Sequence, residues 1–417
     1  MHQQNQGVLN KYRVLDLSDE NGWLCGKILG DLGADVIKIE KPGGDSARRF
    51  GPFYHDIPDG EKSLFWFANN TSKRGITLNI ESLDGQKIFK RLVQTAHFVI
   101  ESFPVGYMGN LGLNYSDLKE INPSLIMISI SPFGQTGPYK DYKFTDLIGM
   151  AMGGLLYISG NPDRAPVRFT AEQCCHQAGA QAAAGAFIAH YHREITGQGQ
   201  YIDVSIQECI LWVVSTGAII NYWDFLKFPV VRAGNRQFRK NIAVRLVFPC
   251  KDGGICCRIG VGLTLGPGQV KLVKLMNEEG LGKDLTDINW LDLSFDSLTQ
   301  EQIEQWEQSM IDFFMRHTKA ELYHEAIKRG IMISPLNTPK EIVEYKQLAE
   351  RKYWIELEHP ELETSLTYLG APFKSNKMQC NPRFRAPLIG EHNVEIYKEE
   401  LGFSRQELIQ LKQNGII

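Results

Sequence analysis

Four clusters of charged, thiol and small residues in this 417-residue chain have the make-up of a ligand site. Asp19-Glu20-Asn21-Gly22 and Ser102-Phe103 each follow a run of aliphatic residues. Lys41-Pro42-Gly43-Gly44-Asp45-Ser46-Ala47-Arg48-Arg49 joins glycines, which let a backbone approach a ligand closely, to cations suited to a phosphate. The same loop reads equally as a short acidic turn with a structural arginine pair. Lys41 directly follows a predicted strand and Lys73-Arg74 directly precedes one; both positions suit phosphate or adenine contacts, and both also suit solvated lysines at strand ends. The fourth cluster, Glu172-Gln173-Cys174-Cys175-His176, opens a long Ala-rich stretch. A carboxylate or thiolate there could attack a carbonyl carbon. Nothing nearby guarantees a lowered thiol pKa, which makes Cys175 a poor candidate nucleophile, and His176 reads more simply as a hydrogen-bonded packing residue.

Alternating apolar β-rich runs and amphipathic stretches must position these clusters. The pattern predicts strands over 12–18, 36–40, 76–79, 98–101 and 125–131, with helices over 24–32 and 83–95. Strands separated by helices imply right-handed crossovers and a largely parallel sheet, whose ligands sit at the carboxyl ends of the strands. The fold class is therefore α/β, with a Rossmann-like large domain over 1–220. No Gly-x-Gly-x-x-Gly follows the first strand, which disfavours a dinucleotide dehydrogenase. A helix ending near residue 195, a strand over 200–205 and an apolar helix over 206–220 complete this half. A hairpin pattern over 244–259 and helices over 301–316 and 319–329 suggest a smaller α+β domain at 221–329. Residues 330–417 form a C-terminal segment with helices over 394–401 and 405–413.

Composition narrows the function. Hydrophobic residues make up 43% and charged residues 22%, as in an ordinary globular protein. A net charge of -3 and a pI near 6.4 leave no basic excess, so no nucleic-acid partner is expected. No apolar run approaches the roughly 20 residues that span a bilayer, so no membrane association is expected either. Residues 1–7 have neither the basic nor the apolar region of a secretion signal, and a cytoplasmic location follows as the expectation. Eight cysteines occur without any Cys-x-x-Cys, which favours buried reduced thiols over a disulfide or zinc site, and no metal is expected.

The chain resembles the class III CoA-transferases, of the formyl-CoA transferase and carnitine CoA-transferase type. The resemblance lies in Leu32-Gly33-Ala34-Asp35-Val36-Ile37-Lys38-Ile39-Glu40 with Pro42-Gly43-Gly44-Asp45, in Asn70-Thr71-Ser72-Lys73-Arg74, and in Phe133-Gly134-Gln135-Thr136-Gly137-Pro138-Tyr139. It continues through Gly197-Gln198-Gly199-Gln200, Gly370-Ala371-Pro372-Phe373 and Arg385-Ala386-Pro387-Leu388-Ile389-Gly390-Glu391-His392. It implies two interlocked protomers, coenzyme A or acyl-CoA as substrate, and no tightly bound cofactor. Carried over, it puts Glu20, Asn21 and Gly22 against the CoA thiol end, Lys41 and Lys73 near adenine and phosphate, and Ser102, Phe103 and Lys143 along the CoA. Asn110 stands where the family often has Arg.

The family's chemistry turns on one aspartate, which attacks a thioester to form a mixed anhydride and then an enzyme thioester. Counting back from Thr196-Gly197-Gln198-Gly199, that aspartate falls on Cys175; counting forward from Thr170-Ala171, it falls on Glu172. The two registers differ by about one helical turn. Asp146 aligns with a supporting carboxylate or is a plain N-terminal helix residue, and Thr145 stands where related racemases carry their histidine base. The expectation is a chain without its own nucleophile, working with a homologous aspartate-bearing subunit on succinyl-CoA and another carboxylic acid; Glu172 is the fallback nucleophile, and an acyl-CoA-binding scaffold the remaining alternative.

Overall fold

Residues 7–215, 223, 227, 230–239 and 242–417 are described by the structure, a computed structural model. The chain divides into two units: Met1–Leu155 with Arg168–Asn221 and Lys346–Ile417, and Leu156–Val167 with Tyr222–Tyr345.

The first unit is built on β1 (Arg13–Asp16), α1 (Trp23–Asp31), β2 (Asp35–Glu40), α2 (Leu64–Asn69), β3 (Lys73–Thr77), α3 (Leu83–Val93) and β4 (Phe98–Glu101). It goes on with α4 (Tyr107–Asn110), α5 (Tyr115–Ile121), β5 (Ile126–Ser131), α6 (Asp146–Met152), α7 (Gln173–Thr196), β6 (Tyr201–Ser205) and α8 (Ile206–Ser215). Six strands pair in the order β3-β2-β1-β4-β5-β6, every pair parallel. β4 and β5 are buried along their whole length, because crossover helices cover both sheet faces; this is why they read as unbroken apolar runs. The predicted strand at 76–79 starts earlier, at Lys73, so the two cations expected before it belong to it. Of the predicted helix at 206–220, residues 216–220 lie outside the described residues.

Helix α7 packs through small residues: Ala178, Gly179, Ala182, Ala183, Ala186 and Ala189 are buried. A Cβ on Gly179 would stand 2.7 Å from the Leu24 Cβ, so α1 and α7 touch backbone to backbone only because that position is glycine. The opposite face of α7 carries Ile188, Tyr191 and Ile195, each more than two-thirds exposed. Near its end this unit adds an antiparallel hairpin, Trp354–His359 with Thr364–Leu369, and the helix Arg405–Gln413.

In the second unit β7 (Arg236–Arg239) pairs with β8 (Ile242–Arg245), and β9 (Val247–Cys250) with β10 (Gly253–Cys256), both antiparallel. The turn between the latter pair is 251–252, shorter than the 251–254 expected from sequence, because Gly253 and Gly254 already pair in β10. Helices α9 (Gly262–Glu278), α10 (Gln300–Phe314) and α11 (Lys319–Arg329) close a core containing Phe248, Ile255, Leu272, Trp290 and Phe313. Thr299 and Thr318 start α10 and α11 with reciprocal capping boxes.

Candidate active site

The strand order reverses direction between β1 and β4, and the loops that leave their carboxyl ends face one another there. Asp19 and Ser102 bridge them: the Asp19 N–H donates to Ser102 Oγ at 2.8 Å, and the Ser102 hydroxyl donates to Asp19 Oδ1 at 2.6 Å. The Asn21 backbone and side-chain N–H groups also donate to Asp19 Oδ1, at 3.0 and 2.9 Å. One carboxylate oxygen thus organises the whole turn before α1. Gly22 caps that helix, and a Cβ there would fall 2.6 Å from the Ser18 Cβ.

A cavity of about 720 Å³ opens beside this turn. Glu20, Asn21, Ser102 and Phe103 line one side; Lys143, Asp146, Glu172 and Cys175 line the rest, with Lys140 and Asp141. A second cleft of about 540 Å³ shares Asp19, Ser102 and Phe103 with the first and contains Lys41, Asp45 and Tyr107. Most of the site residues expected from sequence therefore border one of two adjoining volumes at the switch point. Lys73 borders neither. It is fully buried, and its ammonium donates to Asp16 Oδ2 at 2.8 Å, the Trp23 carbonyl at 2.9 Å and Asn70 Oδ1 at 2.8 Å. Arg48 is likewise consumed internally, with Nε 2.6 Å from Glu40, whereas Arg49 is exposed, so the structural reading of the 41–49 arginines holds for Arg48 alone. Asp19 stands in the sequence as one member of its loop; its part in setting the turn was not readable, because its partner Ser102 lies 83 positions away.

Two carboxyls beside the turn are raised to near neutrality. Burial, reinforced by Asp19, pushes the Glu20 carboxyl up to about 7. Glu101, at the end of β4, is also raised to about 7 by burial, while accepting the Phe103 N–H at 2.8 Å. Asp146 is 2% exposed in its side chain; Oδ1 accepts the Cys174 N–H at 2.8 Å, and Oδ2 stands 3.6 Å from Arg168 Nε. Glu172 gives its carboxylate to Arg168 at 2.8 Å.

The entrance of α7 is bent. Ala171 and Glu172 both have left-handed backbones, with φ of 68° and 41°, and the Glu172 side chain makes no capping bond. Cys175 lies inside, its thiol 3.3 Å from Asn21 Oδ1. Burial raises the Cys175 pKa well above the ordinary thiol value, and Asp146, Glu20 and Asp19 push it further, so the sulfur stays protonated and a weak nucleophile. Cys174 is raised in the same way, by burial and then Asp146. The Nδ1 of His176 is 2.8 Å from the Glu172 carbonyl oxygen, which ties that ring to the helix start.

In a doubly wound α/β unit the switch point is where a ligand binds, and here it carries a two-part cleft. The chain matches CoA-transferase family III over residues 9–393 and belongs to that family, whose members transfer CoA groups and take CoA thioesters as substrates. It is 31% identical over 414 residues, covering 98% of both chains, to the succinyl-CoA:(R)-benzylsuccinate CoA-transferase subunit BbsE of Thauera aromatica. It is also 31% identical over 428 residues to a formyl-CoA:oxalate CoA-transferase of Streptomyces avermitilis, covering 98% of this chain and 99% of the relative. Among solved structures, a CaiB/BaiF family protein from Brucella suis superposes with a TM-score of 0.80 at 29% identity, over 95% of this chain and all of that one. Among the described residues no cluster could hold a metal ion, and no helix is long and apolar enough to cross a membrane.

Proposed function

We propose that this chain is the nucleophile-lacking subunit of a cytoplasmic, heteromeric class III CoA-transferase that moves CoA from succinyl-CoA to another carboxylic acid, with (R)-benzylsuccinate as the acceptor. The observation that carries the reading is the neutral, buried thiol of Cys175 at the place where the family's aspartate is expected. In the family's cycle a carboxylate attacks the thioester carbonyl, expels CoA thiolate and becomes a mixed anhydride; the thiolate then attacks that anhydride to give an enzyme thioester, on which the acceptor carboxylate acts. A protonated thiol cannot open this sequence. A homologous aspartate-bearing chain supplies the nucleophile, and the Thauera relative, named as a subunit, supports such a partnership. The exposed Ile188, Tyr191 and Ile195 on α7 support a protein partner as well, in an interlocked pair.

In this reading Glu20, Asn21 and Gly22 border the thiol end of CoA, Ser102, Phe103 and Lys143 its length, and Lys41 its phosphates. A second reading keeps the chain self-sufficient, with Glu172 as nucleophile, because Glu172 also borders the 720 Å³ cavity. Against it, that carboxylate is engaged by Arg168.

Purification of the chain alone and together with an aspartate-bearing homologue, followed by CoA exchange from succinyl-CoA, tests these readings. Activity only of the pair supports the heteromer, activity of the lone chain that Glu172→Gln abolishes supports Glu172, and activity in neither preparation supports an acyl-CoA-binding scaffold.

A further inference from the structure

Lys38 sits in the middle of β2, between Asp16 of β1 and Gly75 of β3 in register, and is 1% exposed. A fully buried ammonium costs several kcal/mol unless its partners are well placed, so its contacts are informative. Its Nζ donates to the Ser18 carbonyl and stands 3.8 Å from Asp45 Oδ2. Ser18 begins the turn that presents Asp19, Glu20 and Asn21 to the larger cavity. Asp45 ends the loop that presents Lys41 to the smaller cleft.

Each loop is otherwise anchored on its own side. The Ser18 N–H and hydroxyl donate to Asp16 Oδ1 at 3.0 and 2.6 Å, and Trp23 Nε1–H donates to the Ser18 carbonyl at 3.0 Å. On the other side the Asp45 N–H donates to Glu40 Oε2 at 2.8 Å, and the Asp45 carboxylate accepts the Ala47 N–H at 2.9 Å. Among the described residues, Lys38 is the side chain whose polar contacts reach both loops.

We infer that Lys38 is a positioning residue of the CoA cleft, a buried cation that fixes the spacing between the loop after β1 and the loop after β2. It touches no ligand; it acts through Ser18 and Asp45. The inference rests on the proposal that this cleft takes a CoA thioester, whose thiol end and phosphates would lie against the two loops in turn. An ion beneath the cleft, rather than on its wall, holds both surfaces without occupying the space the ligand needs.

The test is calorimetric titration of the full-length chain with CoA at pH 8. Lys38→Met keeps the length of the side chain and leaves the Ser18 carbonyl its bond from Trp23 and the Asp45 carboxylate its bond from Ala47; it is expected to weaken CoA binding at least tenfold. Asp45→Asn gives a sign that electrostatics alone would reverse. Removing a negative charge from the wall of a cleft for an anionic ligand should tighten binding, whereas loosening the tie to Lys38 weakens it, by about threefold on the present inference. Hydrogen exchange provides a second reading: the amides of 18–22 should exchange faster in Asp45→Asn, across the cleft from the substitution, while those of β4 and β5 stay unchanged. CoA affinity within twofold of wild type in folded Lys38→Met, or tighter binding in Asp45→Asn, overturns the role of Lys38 while leaving the cleft a CoA site. Absence of CoA binding by the wild-type chain overturns the reading of the cleft itself, and the role of Lys38 with it.

Discussion

Asp146 Oδ1 accepts the backbone N–H of Cys174 at 2.8 Å, so a carboxylate from the first residue of α6 caps a helix that begins 27 positions later. The residue that should cap α7, Glu172, is turned away to Arg168, and Asp146 takes over the orphan donor. Asp146→Ala should therefore cost about 1–2 kcal/mol of stability, the usual range for loss of a helix cap, while Asp146→Asn, which keeps the acceptor oxygen, should cost less. Urea unfolding of the two variants checks this; equal stability of both with wild type would assign the cap elsewhere.

The same entrance stores backbone strain. Ala171 at φ 68° bears a side chain in a region that costs an ordinary residue about 1 kcal/mol, and glycine sits there freely. Ala171→Gly should raise stability, net of the extra freedom it gives the unfolded chain, by up to about 0.5 kcal/mol. Ala171→Val should lower it by more than 1 kcal/mol, on the order expected for a β-branched residue forced to positive φ. A stable Val variant in thermal melts would mean that this turn adopts another conformation in solution.

Much of this architecture was readable because it is local. The strands of the parallel sheet are unbroken apolar runs, and loops placed at their carboxyl ends, those of Glu20, Lys41 and Ser102, come together at the switch point as α/β topology requires. Lys73 was misleading for the opposite reason. Adjacency to a strand suggested an exposed cation, but the strand begins with it, and its ammonium turns inward to Asp16, 57 residues earlier. Such a pairing leaves no trace in spacing. The link from Asp146 to Cys174 was hidden in the same way: Asp146 reads as the first residue of its own helix, and only the fold brings it to another.

Lys41 is exposed beside the 540 Å³ cleft, with no ion pair among the described residues. An ammonium meeting a phosphate in that setting is worth about 1 kcal/mol and is screened by salt. Lys41→Ala should raise the Kd for CoA about fivefold at low ionic strength and less at 0.3 M salt. A salt-independent loss would point to packing against the lysine stem instead.

If Cys175 stands where the family carries its aspartate, restoring the carboxylate should restore the chemistry. Cys175→Asp, as the lone chain with succinyl-CoA, should form a covalent adduct sensitive to hydroxylamine, which wild type does not form. Burial, and after it the Asp146 and Glu20 carboxyls, raise the Cys175 pKa and will raise that of an aspartate too, so adduct formation should increase with pH through the neutral range. Mass spectrometry of the trapped protein reads the outcome. No adduct across that range would mean that the register is wrong or that acyl activation needs a second chain for more than its nucleophile.

Glu101 makes stability depend on pH in a direction opposite to most carboxylates. Its folded pKa, raised by burial to about 7, lies above the ordinary value of 4.5 for an unfolded chain. Below 4.5 both states are protonated and the group contributes nothing. Between 4.5 and 7 the unfolded state ionises while the folded state keeps its proton, so stability falls as pH rises; above 7 the loss levels off at about 3 kcal/mol by linkage. Glu101→Gln removes the titration and retains an oxygen to accept the Phe103 N–H at the end of β4. The variant should match wild type or fall slightly below it at pH 4.5 and exceed it at pH 8, the gap widening through the intervening range in urea unfolding. A pH-independent gap would mean that Glu101 ionises normally in the fold, with a solvent path or a cation at its carboxyl.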